Sequence, residues 1–200
     1  MAKKFFEEVY TLEGDARDLY AQWATSYDEE VTQNGYVTPE RCAVALREAG
    51  ADPAQPVLDL GCGTGLGGLA LKLAGFETVD GVDLTPQMVD QARERGIYRN
   101  LSVGDADDAM QGQSYHSVSA IGLFSPGHAP ASLIDTVLQA LPHDGLFVFS
   151  LNDHALADKS YIGRIMAWVD AGAARCLLRE HGEHMPGQNV GATIYVLQKS

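Results

Sequence analysis

The sequence predicts an α/β fold: a doubly wound, mostly parallel sheet of seven strands with helices on both faces, an antiparallel C-terminal hairpin and a helical N-terminal segment. Three observations predict it. After residue 56, short apolar runs alternate with helical segments, which implies right-handed β-α-β crossovers and a parallel sheet. The first of these runs ends in a glycine-rich turn that opens a helix. Near the C-terminus the alternation stops, and two strand-like runs are joined only by a polar, glycine-containing loop, as in an antiparallel pair.

Up to about residue 30 the pattern is helical, with Leu19, Tyr20, Trp23 and Tyr27 sharing one face. Asn34-Gly35 marks a turn. Thr38-Pro39-Glu40 starts a second helix, with the threonine read as N-cap and proline at the first helical position, and Gly50 stops it. Residues 51–56 contain two prolines and form the clearest boundary in the chain. They divide an expected N-terminal helical lid, residues 1–50, from an α/β domain, residues 51–200. Strands are expected at 57–60, 78–83, 101–103, 117–123 and 146–150, with helices at 67–73, 86–95 and 133–141. Residues 175–179 and 192–198 form the terminal hairpin.

Composition narrows the function. Two hundred residues, 46% of them apolar, suit one packed domain or one domain with a small accessory. Lys plus Arg 14 against Asp plus Glu 27 leaves a net charge of −13. So acidic a surface repels phosphate backbones and anionic membranes, so the expected partner is a small molecule and not nucleic acid or membrane. No apolar run approaches the ~20 residues of a spanning helix, and the N-terminus meets Glu7 and Glu8 before a signal-peptide core can form. The three cysteines, Cys42, Cys62 and Cys176, are far apart and lack a CxxC pair, which fits a reduced, cytoplasmic protein without a structural zinc site. The histidines show no paired spacing on a helical face, so no metal is expected. The assembly expected is a monomer or homodimer.

The turn Asp59-Leu60-Gly61-Cys62-Gly63-Thr64-Gly65 closes the first strand. Glycines there permit positive φ and remove the Cβ atoms that would block a ligand lying on the backbone. Asp83 ends the second strand, where a carboxylate accepts hydrogen bonds from both hydroxyls of a ribose. Asp105 ends the third, where it meets an adenine amino group. Glycine turn and two acids at three successive strand ends form a nucleoside-binding constellation. Simpler readings exist for each part: Gly65, Gly67 and Gly68 as helix–sheet packing, Asp83 as a helix cap, Asp105 as one acid of an acidic loop, Met88 as core.

Val57-Leu58-Asp59-Leu60-Gly61-Cys62-Gly63-Thr64-Gly65 resembles the first motif of class I S-adenosylmethionine-dependent methyltransferases, a family with a Rossmann-like sheet. Val82-Asp83-Leu84-Thr85-Pro86-Gln87-Met88 resembles the second motif and Gly104-Asp105-Ala106 the third. More narrowly, Tyr27-Asp28 and Gly122-Leu123-Phe124-Ser125-Pro126-Gly127-His128 are similar to the Williams–Beuren region methyltransferase-like group. The resemblance covers about residues 57–150 and implies S-adenosyl-L-methionine as cofactor. It implies that Gly61, Cys62 and Gly63 line the methionine portion and that Asp59 acts on the amino group through water. It implies further that Asp83 binds ribose, that Leu84 and Met88 flank adenine and that Asp105 with Ala106 reads the adenine edge. Ile121, where the fourth strand ends, is counted with the cofactor residues. Tyr20 and Tyr27, on the aromatic face of the N-terminal helix, are expected to close over the cofactor; ordinary amphipathic packing is the alternative.

Gly63-Thr64-Gly65-Leu66-Gly67-Gly68 also satisfies the G-x-G-x-x-G pattern of nicotinamide enzymes. Against that reading stand the acid two residues before the first glycine, the short chain and the sole Y-x-x-x-K match, Tyr195 to Lys199, at the end of the last strand. A non-enzymatic cofactor-binding protein of the same fold is the other alternative. Methyl transfer from a sulfonium is an in-line displacement with an already activated leaving group, so positioning and water exclusion suffice. A base is needed only where the acceptor must lose a proton, and His128, in the loop after the fourth strand, is the candidate. It could instead cap the helix that starts near Ala131. The fourth strand ends in Ala120-Ile121-Gly122 and not in the Asn/Asp-Pro-Pro-aromatic signature used on nucleic-acid amines, which again favours a small-molecule acceptor. Residues 153–168 are a second candidate for acceptor selection.

Overall fold

A computed structural model of the protein describes residues 17–24, 26–110, 115–125 and 128–200. The expected lid before residue 17, together with Pro126 and Gly127 of the His128 loop, lies outside these residues. In chain order the described elements are α1 (Arg17–Trp23), α2 (Tyr27–Gln33), α3 (Thr38–Glu48), β1 (Val57–Leu60), α4 (Leu66–Leu73), β2 (Val79–Asp83), α5 (Pro86–Glu94), β3 (Leu101–Val103) and α6 (Ala106–Met110). They continue with β4 (Ser117–Phe124), α7 (Ser132–Ala140), β5 (Leu146–Asn152), α8 (Asp153–Ala157), α9 (Lys159–Asp170), β6 (Ala174–Met185), a 3-10 turn (Pro186–Gln188) and β7 (Val190–Lys199).

The seven strands form one sheet in the order β3-β2-β1-β4-β5-β7-β6. The first five are parallel, with Val57 paired to Val79 and Ser117 paired to Leu146, and β7 runs antiparallel to both its neighbours. The expected fold class and terminal hairpin are what the chain adopts. Adjacent residues of one strand serve opposite faces: Phe147, Phe149, Tyr195 and Leu197 pack on Ile134, Leu138, Tyr161 and Ile165, while Val148, Ile194 and Val196 pack on Cys42, Leu46 and Leu71. A sheet buried on both faces favours mostly apolar strands, which is why β1 and β5, apart from Asp59, Ser150 and Asn152, read as short apolar runs. Each such side chain contributes roughly 1.5–3 kcal/mol by leaving water.

Four expectations change. The N-terminal helix is not continuous: it breaks between α1 and α2, and Ser26 Oγ bonds Glu30 Oε1 at 2.7 Å in the first turn of the second piece. Thr38 does not cap α3; Val37 holds the cap position, and Thr38 is fully buried with its Oγ1 2.7 Å from His184 Nδ1. Helices α6, α8 and α9 are additional, and the last two carry caps: Asn152 Oδ1 accepts from Ala155 N–H at 2.9 Å, and Asp158 Oδ1 from Ser160 N–H at 2.8 Å. β6 continues to Met185, well past the expected residue 179. It is an edge strand, mostly exposed, and its charged second half gives no apolar alternation to read.

The helices before residue 50 pack in different clusters. Cys42, Ala43, Ala45 and Leu46 bring α3 into the main core. The segment that stands apart is α1 with α2, whose Leu19, Trp23 and Val31 form a separate cluster with Met185. Among the described residues no helix is long and apolar enough to cross a membrane.

Candidate functional site

The carboxyl ends of the parallel strands border a cavity of about 340 Å³. Its first wall is the turn between β1 and α4. Gly63 has φ +53°, a left-handed conformation, and a Cβ built on it meets nothing within 4 Å, so the backbone presents a bare surface to the cavity. Gly61 and Cys62 continue that wall. Cys62 is buried, and burial pushes its thiol far above the ordinary range, so it stays protonated and lines the wall without nucleophilic character.

Asp83, ending β2, is aimed by backbone donors. Its Oδ2 accepts from Gly63 N–H at 2.9 Å and its Oδ1 from Thr85 N–H at 2.8 Å. Burial raises its pKa, and the two N–H donors oppose that rise. The bond to Thr85 is the local turn that a capping reading anticipates, but the bond to Gly63 crosses to the glycine turn and fixes the carboxylate on the cavity wall. Leu84, half exposed, lies at the rim, and Met88, 2% exposed, lines the cavity while belonging to the packed interior. Asp105 and Ala106 border it after β3, where Asp105 Oδ1 also accepts from Asp108 N–H at 2.9 Å in the first turn of α6. Ile121 reaches it from β4.

Asp59 is not among the residues facing the cavity. It is 1% exposed and sits behind the turn, accepting from Ser119 Oγ at 2.8 Å and from Tyr98 Oη at 2.9 Å. Burial pushes its pKa up to about 6, against the lowering effect of these two donors. The glycines after the turn make room for this group: a Cβ on Gly67 would lie 3.1 Å from Asp59 Oδ2, and one on Gly68 would lie 2.3 Å from Tyr98 Oη. Gly67 and Gly68 thus allow close packing, and Gly67 also borders the cavity.

Tyr20 and Tyr27 border the cavity from α1 and α2. Both pack on Trp23, with ring centroids at 5.7 and 4.8 Å, and on each other at 6.4 Å, so cavity lining and amphipathic packing are both present in one cluster. The Tyr20 ring meets the edge of His128 at 5.1 Å. His128 lines the cavity beyond β4, with its Nδ1 hydrogen-bonded to Ser125 Oγ and its backbone N–H donated to Ser125 O at 3.0 Å. It does not cap α7, whose N-cap is Ala131.

Sequence reasoning missed two contributors. Tyr36 lines the cavity, packs its ring against buried His184 at 5.2 Å and brings its hydroxyl against Gly122, where a Cβ would lie 2.4 Å away. Thr64 bonds Asp28 of α2. The pairing of a tyrosine before α3 with a glycine within β4 has no signature in sequence spacing, but Asp28, next to Tyr27 in the quoted motif, was a signal at hand. Residues 153–168 do not line this cavity.

The antiparallel β7, inserted between β5 and β6, departs from the 3-2-1-4-5-6 strand order of a dinucleotide fold. Comparison with known proteins agrees. A methyltransferase domain family matches residues 57–145. Methyltransferase-like protein 27 of Homo sapiens is 32% identical over 121 residues, 58% of this chain and 49% of that one. Ribosomal protein L11 methyltransferase of Burkholderia thailandensis is 35% identical over 96 residues, 47% of this chain and 32% of that one. The chain thus spans about half, or less, of the length of these relatives. Magnesium protoporphyrin IX methyltransferase from Synechocystis PCC 6803, crystallised with bound SAH, has the same fold at a TM-score of 0.65 and 15% identity, covering 98% of this chain and 93% of that one. A putative RNA methyltransferase from Pyrococcus horikoshii aligns at 0.62 and 16% identity over 80% of this chain and 83% of that one. Residues 57–145 thus match a methyltransferase domain family, and the fold around them is that of methyltransferases crystallised with bound SAM and SAH.

Proposed function

We propose that this chain binds S-adenosylmethionine in the strand-end cavity and transfers its methyl group to a small-molecule acceptor by in-line displacement. One observation carries the cofactor reading: the Asp83 carboxylate, the bare Gly63 backbone and the Asp105 loop converge on a single cavity, and Gly63 N–H itself aims Asp83. The bound cofactor supplies a sulfonium-activated methyl group. Asp83 holds the ribose hydroxyls. Gly61, Cys62 and Gly63 support the methionine portion by backbone, and Asp59 acts on its amino group through water from behind the turn. Leu84, Met88 and Ile121 flank the ring system, while Asp105 and Ala106 read the adenine edge. Helices α1 and α2 form the lid, with Tyr20 and Tyr27 excluding water.

His128 is the proposed base for an acceptor that must lose a proton, its ring oriented by Ser125. A small acceptor is supported by the net charge of −13 and by the apolar surface around His128, made of Leu123, Ala129, Pro130 and Leu133 with the hydroxyls of Ser132 and Thr136. The names of similar proteins include a ribosomal-protein and an RNA methyltransferase, so acceptor class is the point to test. A cytoplasmic setting is supported by three free cysteines. Calorimetry with S-adenosylhomocysteine tests the cofactor, with a nicotinamide dinucleotide as control. Mass spectrometry with labelled S-adenosylmethionine and a panel of small molecules, ribosomal protein and RNA tests the acceptor. Preferential binding of the dinucleotide overturns the reading, and label transferred only to protein or RNA overturns the small-molecule part.

A further inference from the structure

The lid helices and the glycine turn meet at a polar junction. Asp28, in the first turn of α2, receives a hydrogen bond on Oδ1 from Thr64 Oγ1 at 2.5 Å, and its Oδ2 pairs with Arg95 Nη2. Arg95 is the C-cap residue of α5, and its Nε donates to the Thr64 carbonyl at 2.6 Å. These bonds close a ring through Thr64, Asp28 and Arg95 that ties three elements separated by 31 to 67 positions in sequence.

Gly65 makes the ring possible. Its φ is +94°, and a Cβ there would stand 2.9 Å from Arg95 Cδ, so the arginine stem crosses the turn through space that only glycine leaves open. Thr64 is buried, and the side chains of Arg95 and Asp28 keep 21% and 44% of their exposure. A planar guanidinium with two fixed partners in such a setting holds better than an exposed ion pair. Thr64 of the ring and the adjacent Tyr27 line the cavity, and Leu66 joins the Leu19–Trp23–Val31 cluster.

We propose that Arg95 is a positioning residue that clasps α1 and α2 to the glycine turn, so that S-adenosylmethionine enters and S-adenosylhomocysteine leaves only when the clasp opens. This rests on the cofactor reading above. A clasp of this kind has a kinetic signature: breaking it speeds entry and exit together, so the dissociation constant moves less than either rate.

Trp168→Phe leaves Trp23 as the sole tryptophan reporter, packed against the cavity-lining Tyr20 and Tyr27. In stopped-flow fluorescence of the full chain with S-adenosylhomocysteine, Arg95→Met, which keeps the apolar stem, is expected to raise both rates at least tenfold. Asp28→Asn acts in the same direction, and the double variant adds little, because both changes break one ring. Arg95→Lys, unable to serve both partners, falls between. High salt speeds exchange in the parent and leaves Arg95→Met unchanged. Hydrogen exchange without ligand provides an arm independent of the cofactor: amides of α2 should exchange at least tenfold faster in Arg95→Met while β1 to β5 are unaffected. Unchanged α2 exchange overturns the clasp. Faster α2 exchange with both binding rates unchanged, or a lower melting temperature alone, overturns its role as a gate. Failure of the parent to bind S-adenosylhomocysteine overturns the cofactor reading and the gate with it, while the exchange arm still decides whether Arg95 holds α2.

Discussion

His184 and Asp59 are expected to give opposite pH dependences of stability that mask one another. His184 is 3% exposed, and burial depresses its pKa from 6.5 to about 4, with Asp153 opposing and Arg41 and His154 assisting. The unfolded chain takes this proton near pH 6.5 and the folded chain only near 4, so stability falls as pH drops between them. At roughly 1.4 kcal/mol per pH unit the loss is on the order of 3 kcal/mol. Asp59 behaves in the reverse sense. Burial raises its pKa from 3.8 to about 6, so the folded chain keeps a proton that the unfolded chain releases, and stability rises as pH falls from 6 to 4, again by roughly 3 kcal/mol. Urea denaturation between pH 4 and 7 should therefore show little net slope from this pair. Subtracting each variant from the parent removes all other groups. His184→Gln should gain about 3 kcal/mol relative to the parent on going from pH 6.5 to 4, and Asp59→Asn should lose about as much from pH 6 to 4. Curves parallel to the parent within about 0.5 kcal/mol would refute the argument that both groups are held uncharged by burial.

Three further outcomes test the site. Asp83→Ala removes charge-assisted hydrogen bonds worth roughly 1.5–3 kcal/mol each, so S-adenosylhomocysteine affinity by calorimetry should fall at least tenfold in a folded protein. His128→Gln should leave that affinity intact while cutting turnover on the true acceptor by about a hundredfold, in the range of general-base catalysis, with partial recovery at high pH; a loss below about threefold leaves positioning as the mechanism. Gly68→Ala drives a methyl group into the Tyr98 hydroxyl and should lower stability by roughly 1–3 kcal/mol in urea, and Tyr98→Phe in the same chain should not recover all of it, since ring carbons also crowd that position.

The parallel strands and the glycine turn were legible because their physical demands are local. A strand buried on both faces is mostly apolar, and a bare backbone wall facing a cavity is made by glycine. Every cofactor residue read from the sequence lines the cavity except Asp59, whose position behind the turn depends on Ser119 and Tyr98, distant residues that no local pattern links to it. The break between α1 and α2 was invisible because Leu19, Tyr20, Trp23 and Tyr27 keep helical spacing across it. Helix α9 went unread although Tyr161 and Ile165 are one turn apart and Asp158 caps it, because Gly163 interrupts the run. The second half of β6 gave no signal at all: a charged edge strand is specified by its partner β7, not by its own sequence.

The hairpin formed by that strand ties late-made chain to early-made chain. Arg41 of α3 donates to the carbonyls of Glu183 at 2.7 Å and Ala192 at 3.1 Å, and Thr38 bonds His184 across a separation of 146 residues. During synthesis at roughly 5–20 residues per second, α3 would therefore wait roughly 7–30 s for the partners that fix it. Over that interval the apolar face of α3, including Cys42 and Leu46, lacks the β5 and β7 side chains that later cover it. The nascent chain thus carries an uncovered apolar face on α3 through that interval, and a chaperone acting on it has that face to shield.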